Sequence, residues 1–388
     1  MEQLCEKVRK QVLERMDFSK ELADVELQEL IAKEMSHQKD TGRLTLQQRI
    51  FVEQRVFNSL RKLDVLQELL EDDEITEIMV NGPNHIFYEK RGQFMEHPYH
   101  FSSEEKLQDV VQQIVGKHNR VVNLTSPIVD TRLEDGSRVN IVLTPISIDG
   151  SAISIRKFGK HPLDMKALID LGTVTEEVAQ FLQQIVVDRH NIFISGGTSS
   201  GKTTFLNALS AFIPSNERVI TIEDAAELQL QQTPNLVRLE TRIRTQEGVK
   251  EITARELIRT ALRMRPDRII VGECRGEETL DMLQAMNTGH DGSLSTGHGN
   301  SIQDMLSRLE MMVLMGTQLP LISIRQQIAM GIDIMIHLER GRDHKRRVTE
   351  IAEVRSVRNG EIQLNPLYQY KNGLKKVGEL IDEKEDIP

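Results

Sequence analysis

The chain has 388 residues, a formal net charge of −10 and 4% aromatic residues, with no tryptophan. This length predicts two or three domains, and the acidic balance with few aromatic side chains argues against a general nucleic-acid surface. Two cysteines, Cys5 and Cys274, are too few for a disulfide framework or a four-cysteine zinc site. No apolar run is long enough to span a bilayer, and the N-terminus lacks a signal-peptide core. We therefore expect a cytoplasmic protein without a transmembrane segment of its own.

The first 72 residues are rich in charge and contain no proline. Apolar residues recur there at helical spacing, as in Val56, Leu60 and Leu63. This segment is therefore predicted to be helical. Its apolar stripe either packs on the rest of the protein, which is the interpretation we favour, or binds a helix of a partner.

The texture of the sequence changes after residue 72. Short apolar runs such as Ile75–Val80, separated by turn residues, predict strands. Ser102 followed by Glu105 is a capping-box signature and predicts a helix that ends near Lys117. Strands and helix together indicate a small α+β domain, and the glycine and proline that follow indicate a linker.

One motif further along the chain binds phosphate in other proteins. An apolar run, Ile192–Ile194, is typical of a strand buried on both faces, and a helical stretch begins after Thr203. Between them the sequence matches G-x-x-x-x-G-K-[ST], in which backbone N–H groups surround a phosphate chain at the positive end of a helix. Lys202 is expected to reach the terminal phosphates of ATP, and the Thr203 hydroxyl is expected to bind Mg²⁺. The predicted nucleotide-binding residues are Gly196, Gly197, Thr198, Ser199, Ser200, Gly201, Lys202, Thr203 and Thr204.

Strands and helices alternate around this motif. Strands are predicted at 218–222, 268–271 and 293–296, and Thr253 with Glu256 marks the start of a helix. This alternation predicts an α/β fold with a mostly parallel sheet, helices on both faces and ligands at the carboxyl ends of the strands. The predicted organisation is a helical segment (1–72), a small α+β, PAS-like domain (73–158), a linker (159–168), a nucleotide-binding α/β domain (169–345) and C-terminal strands with a tail (346–388).

Acidic residues follow two of the predicted strands directly. Glu223 and Asp224 end the first, and Glu273 follows the second, where phosphate-loop enzymes place the acids that hold Mg²⁺ and orient water. Glu273 is our first candidate for activating the attacking water, and Glu223 is the second and a candidate metal ligand. Asp224 is a candidate for binding Mg²⁺ through its water shell. The alternative for each is a solvated surface carboxylate. Cys274 is interpreted as a small packing residue, because no histidine neighbours it in sequence.

Two histidines flank the third predicted strand. His298 follows it among glycines, a position from which a side chain can contact the γ-phosphate and respond to its loss. A zinc site with His290 is disfavoured because no cysteine lies nearby after Cys274. The remaining alternative is a surface or locally bonded histidine.

Arginines form two groups. A guanidinium suits the spread negative charge of a transferring phosphoryl group and can be supplied from another domain or subunit. We favour at least one arginine acting on the nucleotide, although a single arginine is more often a surface ion-pair partner. The candidates are Arg132, Arg138 and Arg156 before the linker, and Arg238, Arg242 and Arg244 between two strands of the nucleotide domain.

The order of these motifs resembles that of a known family. The stretches G-G-T-S-S-G-K-T-T, T-I-E-D-A-A-E-L, R-M-R-P-D-R-I-I-V-G-E-C-R-G-E-E and M-N-T-G-H-D-G-S-L-S-T-G-H-G-N-S are similar to those of the type II/type IV secretion ATPases, and within them to the CpaF/Tad pilus-assembly branch. The resemblance extends from about Ile75 to about Leu338. It assigns the Walker A loop to Gly196–Thr204, the acidic box to Glu223–Glu227, the atypical Walker B motif to Gly272-Glu273 and the histidine box to His290–His298.

The resemblance implies a RecA-like P-loop ATPase that uses ATP and Mg²⁺. It further implies a homohexameric ring at the inner face of the cytoplasmic membrane, acting on an inner-membrane platform protein to drive pilus assembly or secretion. Arg132, Arg138 and Arg156 match the arginine-bearing segment of the front domain in this family. The alternatives are a RecA-like nucleic-acid motor and an ATP-binding scaffold without turnover.

A basic cluster, R-G-R-D-H-K-R-R, follows Leu338 between two strand-like stretches. We interpret it as the solvated tip of a hairpin, with contact to lipid headgroups or to a partner as the alternative.

Overall fold

The structure is a computed structural model that describes residues 1–17, 19–20, 22–38, 44–117, 121–159, 163–242 and 250–381. The chain forms two compact units, Met1–Lys160 and His161–Pro388. None of the helices in the described ranges is long and apolar enough to cross a membrane.

The first unit begins with helices, as the spacing of apolar residues predicts. Three of them each contribute a pair of apolar residues at i and i+4 to one shared core, for example Val8 and Val12 from the first helix. The third helix begins with a capping box formed by Thr45 and Gln48. The helices are α1 (Glu2–Arg15), α2 (Asp24–Ser36), α3 (Leu46–Arg61) and the short α4 (Gln67–Glu71).

An antiparallel sheet follows in the same unit, in the order β3-β2-β1-β6-β5-β4. One face of this sheet and the helix α5 (Glu104–Gly116) share an apolar core that includes Ile78, Ile153 and Leu107. The strands are β1 (Ile75–Asn81), β2 (His85–Lys90), β3 (Gln93–Glu96), β4 (Ile128–Arg132), β5 (Arg138–Val142) and β6 (Ala152–Arg156).

The predicted N-cap of α5 is wrong by one residue. Ser103, and not Ser102, accepts the N–H of Lys106, so the helix begins at Glu104. Glu104 instead binds the backbone N–H and the hydroxyl of Ser151 at the start of β6, at 3.0 and 2.6 Å. The two adjacent serines have the same capping chemistry, and the helix that starts after Ser103 is the one in which Glu104 makes this tertiary contact.

The second unit contains a nine-stranded sheet in the order β15-β14-β13-β12-β7-β11-β10-β8-β9. The six strands from β12 to β9 in this order are parallel, and β13, β14 and β15 extend the sheet in antiparallel fashion. The predicted α/β fold class is therefore confirmed. The strands are β7 (Ile192–Gly196), β8 (Arg218–Glu223), β9 (Asn235–Glu240), β10 (Arg268–Val271), β11 (Leu294–His298), β12 (Ile334–Arg340), β13 (Arg346–Arg358), β14 (Glu361–Tyr370) and β15 (Leu374–Lys376).

Helices cover both faces of this sheet and create two apolar cores. The central strand β7 is buried along its length, with Ile192 and Ile194 in one core and Phe193 in the other. The helices are α6 (Met165–Asp170), α7 (Glu176–Val187), α8 (Lys202–Ser210), α9 (Ala254–Ala261), α10 (Glu278–Met286), α11 (Ile302–Gly316) and α12 (Leu321–Gly331).

Candidate nucleotide site

The glycine-rich loop lies between β7 and α8, at the carboxyl end of the parallel strands. It turns sharply because Ser199 and Gly201 adopt left-handed conformations, with φ of 58° and 95°. Gly196 is required for a different reason, since a Cβ atom there would lie 2.5 Å from the carbonyl oxygen of Leu338 on β12. Close packing against β12 and the left-handed residues together fix the course of the loop.

Lys202 is the first residue of α8, and its ammonium group points back into the loop. Its Nζ donates to the carbonyl oxygens of Gly196 and Gly197, both at 3.0 Å, and to Nδ1 of His298 at 3.2 Å. The side chain is buried, so its positive charge and the positive end of α8 coincide at the loop. Thr203 and Thr204 follow in the first turn of the helix and are half-buried.

His298 links this lysine to the acid that follows β10. The prediction that it lies beyond the strand is wrong, because β11 continues through His298, which stands opposite Gly196 in the parallel register. Its Nε2 lies 2.9 Å from Oε1 of Glu273. Since Nδ1 accepts from Lys202, the proton belongs on Nε2. Burial lowers the pKa of His298, and the nearby charges of Lys202 and Arg275 act in the same direction against the opposing effect of Glu273.

Arg275 binds the acids that follow two adjacent strands. Its guanidinium donates to Oε2 of Glu273 at 2.8 Å and lies 3.5 Å from Oδ2 of Asp224. Asp224 also accepts from the Thr241 hydroxyl at 3.2 Å. The sequence analysis missed this arginine, although its place two residues after Glu273 in G-E-C-R-G was a usable signal.

Glu223 is in a different environment from Glu273. It is 5% exposed, and its Oε2 accepts the backbone N–H groups of Glu227 and Leu228, both at 2.8 Å. Burial raises the pKa of Glu223, and the two N–H groups oppose that effect. Oε1 is buried and has no hydrogen-bond partner within the described part of the chain. Such an oxygen is suited to accept a hydrogen bond from water or to coordinate a cation.

The described residues contain no cluster of three or more His, Cys, Asp or Glu side chains arranged to hold a metal ion. Mg²⁺ usually binds through one or two carboxylates together with waters and substrate phosphates, and the buried Oε1 of Glu223 fits that kind of ligation. Thr203 and Glu223 remain the residues that would hold it.

His290, for which the sequence disfavours a zinc site, and Cys274, interpreted as a packing residue, make local contacts. Nδ1 of His290 lies 3.3 Å from the carbonyl oxygen of Ala285 near the end of α10. Cys274 is buried beside Ser295, and burial raises the pKa of its thiol to about 12, so the group stays protonated. Neither arrangement indicates a metal site or a nucleophile.

Three predicted arginines of the first unit form a row across its sheet. Arg132 stands opposite Arg138, and Arg138 stands opposite Arg156, so the three share one face of β4, β5 and β6. Arg156 lies 3.8 Å from Glu77 on the next strand. Like charges directly opposite one another destabilise a sheet, and the carboxylate of Glu77 offsets part of this cost at one end of the row.

Two of the three candidate arginines of the second unit donate to backbone carbonyl oxygens. Arg238 donates to the carbonyl oxygen of Ala226 at 3.2 Å, and Arg242 donates to that of Lys250 at 3.0 Å. Arg244 lies outside the described residues.

Comparison with known proteins agrees with this geometry. A family model described as "Type II/IV secretion system protein" matches residues 59–363. A putative conjugal transfer protein of Mycobacterium tuberculosis is 33% identical over 316 residues, which cover 80% of this chain and 89% of the relative. The type IV secretion system protein PtlH of Bordetella pertussis is 33% identical over 315 residues, covering 74% and 93%.

A solved structure supports the fold. The Legionella pneumophila ATPase DotB superimposes with a TM-score of 0.55 at 23% sequence identity, covering 73% of this chain and 78% of DotB. The family match spans more than half of the chain, and a third of the residues are shared with relatives over most of their length. This chain is therefore a member of the type II/IV secretion system protein family.

Proposed function

We propose that the chain is the motor ATPase of a Tad-type pilus-assembly or secretion machine, in which ATP hydrolysis drives domain motion at an inner-membrane platform protein. It works as a homohexamer on the cytoplasmic side of that membrane, to which it is peripheral. The observation that carries the proposal is the continuous set of contacts from Lys202 through His298 to Glu273. These contacts join a phosphate-binding group to a candidate base.

The proposed nucleotide site uses the loop from Gly196 to Thr204. Its N–H groups and Lys202 would bind the β- and γ-phosphates of ATP, and Thr203 and Glu223 would hold Mg²⁺. When bound there, Mg²⁺ would supply positive charge against the charge that develops on the phosphate oxygens. Lys202 donates to Nδ1 of His298, so movement of the ammonium group to a phosphate oxygen would release Nδ1. His298 would then be available to respond to the γ-phosphate.

Glu273 is the proposed base for the attacking water. Its carboxylate is bound by Arg275 on one oxygen and approached by His298 on the other, so its position is fixed between two strands. A carboxylate at that position can accept the proton of a water that attacks the γ-phosphorus. Asp224, which also lies near Arg275, would bind Mg²⁺ through its water shell.

The arginine row is the observation that supports the proposal of a ring. Arg132, Arg138 and Arg156 concentrate positive charge on one face of a sheet in the first unit, and the phosphate loop belongs to the second. We propose that this row supplies a cation to the nucleotide of a neighbouring subunit. Loss of the γ-phosphate would then release the neighbour, which converts hydrolysis into displacement.

Mixing two inactive variants tests this proposal. Lys202→Ala keeps the arginine row and loses the phosphate loop lysine, whereas Arg138→Ala does the reverse. Each alone should lose about a hundredfold or more of ATP turnover, and mixed rings should recover part of it. Arg91→Ala, which removes an exposed arginine of the same unit, is the matched control and should stay active.

No recovery on mixing would contradict the proposal, as would a protein that stays monomeric and hydrolyses ATP at full rate at every dilution. A nucleic-acid motor would instead show a salt-sensitive rise in ATP turnover on addition of single-stranded DNA, and we expect no such rise.

A further inference from the structure

The hairpin of β12 and β13 lies beside the phosphate loop. β12 runs parallel to β7, with His337 opposite Ser195 and Leu338 opposite Gly196. The turn between β12 and β13 therefore lies at the same edge of the sheet as the phosphate loop. This turn, 341–345, belongs to the basic cluster that the sequence predicts to be a solvated hairpin tip.

The base of the hairpin is fixed to the strand that leads into the loop. Nδ1 of His337 lies 2.8 Å from the hydroxyl of Ser195, and both residues are buried. The next pair is equally close, since the Leu338 carbonyl occupies the space that a side chain at Gly196 would need. The base of the hairpin and the start of the loop are thus packed together in the buried part of the sheet.

Arg346, the first residue of β13, extends this packing to the far side of the loop. Its Nε donates to the carbonyl oxygen of Ser199 at 3.0 Å. Its Cδ lies 3.1 Å from the point where a Cβ on Gly201 would stand. The side chain therefore lies along the outer side of the loop, across the two residues with left-handed backbone.

This contact has a consequence for the N–H groups of the loop. In a trans peptide the carbonyl oxygen and the following N–H point in opposite directions. An arginine that binds the Ser199 carbonyl on the outside therefore orients the N–H of Ser200 toward the inside. That N–H lies 3.3 Å from the Gly197 carbonyl oxygen, which also accepts from Lys202. The Ser200 N–H and the lysine ammonium thus donate to the same carbonyl oxygen, on the side of the loop away from Arg346.

We propose that Arg346 is a positioning residue that holds the phosphate loop in its nucleotide-binding shape from the outer side. Nucleotide affinity then depends on a hairpin far along the chain from the loop itself. A charged donor suits this role because its hydrogen bond to a carbonyl is stronger than that of a neutral donor. The inference rests on the proposed nucleotide site at Gly196–Thr204.

Neighbouring cations of the hairpin provide controls. Arg347 binds Asp343 at 2.9 Å and lies over the ring of Tyr370, so its contacts stay within the C-terminal strands. Arg342 is exposed in the turn. Arg342→Ala removes the same charge from the same hairpin as Arg346→Ala does, and it leaves the bond to Ser199 in place.

The test measures ATP and ADP binding and ATP turnover by the full-length variants. Arg346→Ala should raise the KM for ATP and the Kd for ADP about tenfold, with kcat at saturating ATP changed less than about twofold. Arg346→Lys should recover part of the affinity, and Arg342→Ala should behave like the unaltered protein. The melting temperature without nucleotide should be the same for all variants, whereas the stabilisation by ADP should be smaller for Arg346→Ala.

Two results would overturn the inference. Unchanged nucleotide affinity in Arg346→Ala would show that the contact does not shape the loop. An equal loss in Arg342→Ala would show that the hairpin acts only through its total charge. Failure of the unaltered protein to bind ADP would instead refute the nucleotide site itself, so the two ideas fail in different ways.

Discussion

The ends of β8 and β10 are neighbours in one sheet and look alike in sequence, yet their acids have different surroundings. Glu223 is buried, and its carboxyl accepts two N–H groups of the turn that follows its own strand. Glu273 instead contacts side chains, namely Arg275 two residues further on and His298 on the neighbouring strand β11. An acid after an apolar strand is thus placed at the edge of the sheet by the strand, but its chemistry is set by what the neighbouring strands bring to it.

The largest expected effect separates the two acids by turnover. Glu273→Gln should lower the rate of ATP hydrolysis by about a hundredfold or more and leave ATP binding intact, because the amide cannot accept the proton of water. The measurement is single-turnover hydrolysis together with nucleotide binding. Glu240→Gln, at the exposed end of β9 and opposite Glu223 in register, is the control. A fully active Glu273→Gln variant would show that another residue is the base, and Glu223 would be the next candidate.

The second effect is on stability and concerns Glu223. Glu223→Ala removes the acceptor of two N–H groups, one of them buried, and should lower the free energy of unfolding by about 2 kcal/mol. Glu223→Gln keeps an acceptor oxygen and should cost less than about 1 kcal/mol. Urea unfolding of the two variants makes the comparison. Equal losses would mean that the negative charge, and not the hydrogen bonding, is what the fold requires.

The smallest effect is the pH dependence of His298. Because burial lowers its pKa from the ordinary value of 6.5, the imidazole stays neutral as pH falls through the range in which an exposed histidine is protonated. Turnover at pH 6.5 should therefore keep more than about half of its value at pH 7.5, and should fall at lower pH as protonation of the imidazole places a second positive charge beside Lys202. The lowered pKa also affects the free energy of unfolding. The unfolded chain takes up the proton first, so stability is lost as pH falls from 6.5 toward the pKa of the folded state.

A pH-rate profile checks this expectation, with His290→Gln as the control because Nδ1 of His290 lies beside the carbonyl oxygen of Ala285 near the end of α10. A half-maximal rate at pH 6.5 that shifts on substitution of His298, and not of His290, would mean that burial does not protect this group.

Local features were predictable. The run Ile192–Ile194, the glycines after it and the helix from Lys202 follow from periodicity and backbone requirements that a short stretch contains. The capping box of Thr253 and Glu256 is present for the same reason. The prediction of Ser102 as the N-cap is wrong because two adjacent serines can both cap a helix. The helix that begins after Ser103 places Glu104 in contact with Ser151, 47 residues away in sequence.

The sequence by itself determined the strand, loop and helix around Lys202, because the conformations that glycine permits and the spacing of apolar residues are local properties of the chain. The tertiary structure alone decided which side chains meet there. His298 and Arg346 reach the loop or its acids only because the order β12-β7-β11-β10-β8 sets strands from distant parts of the chain side by side, and Arg275 reaches Asp224 for the same reason. No short stretch of sequence encodes that order, since it results from the burial of whole strands and helices against one another.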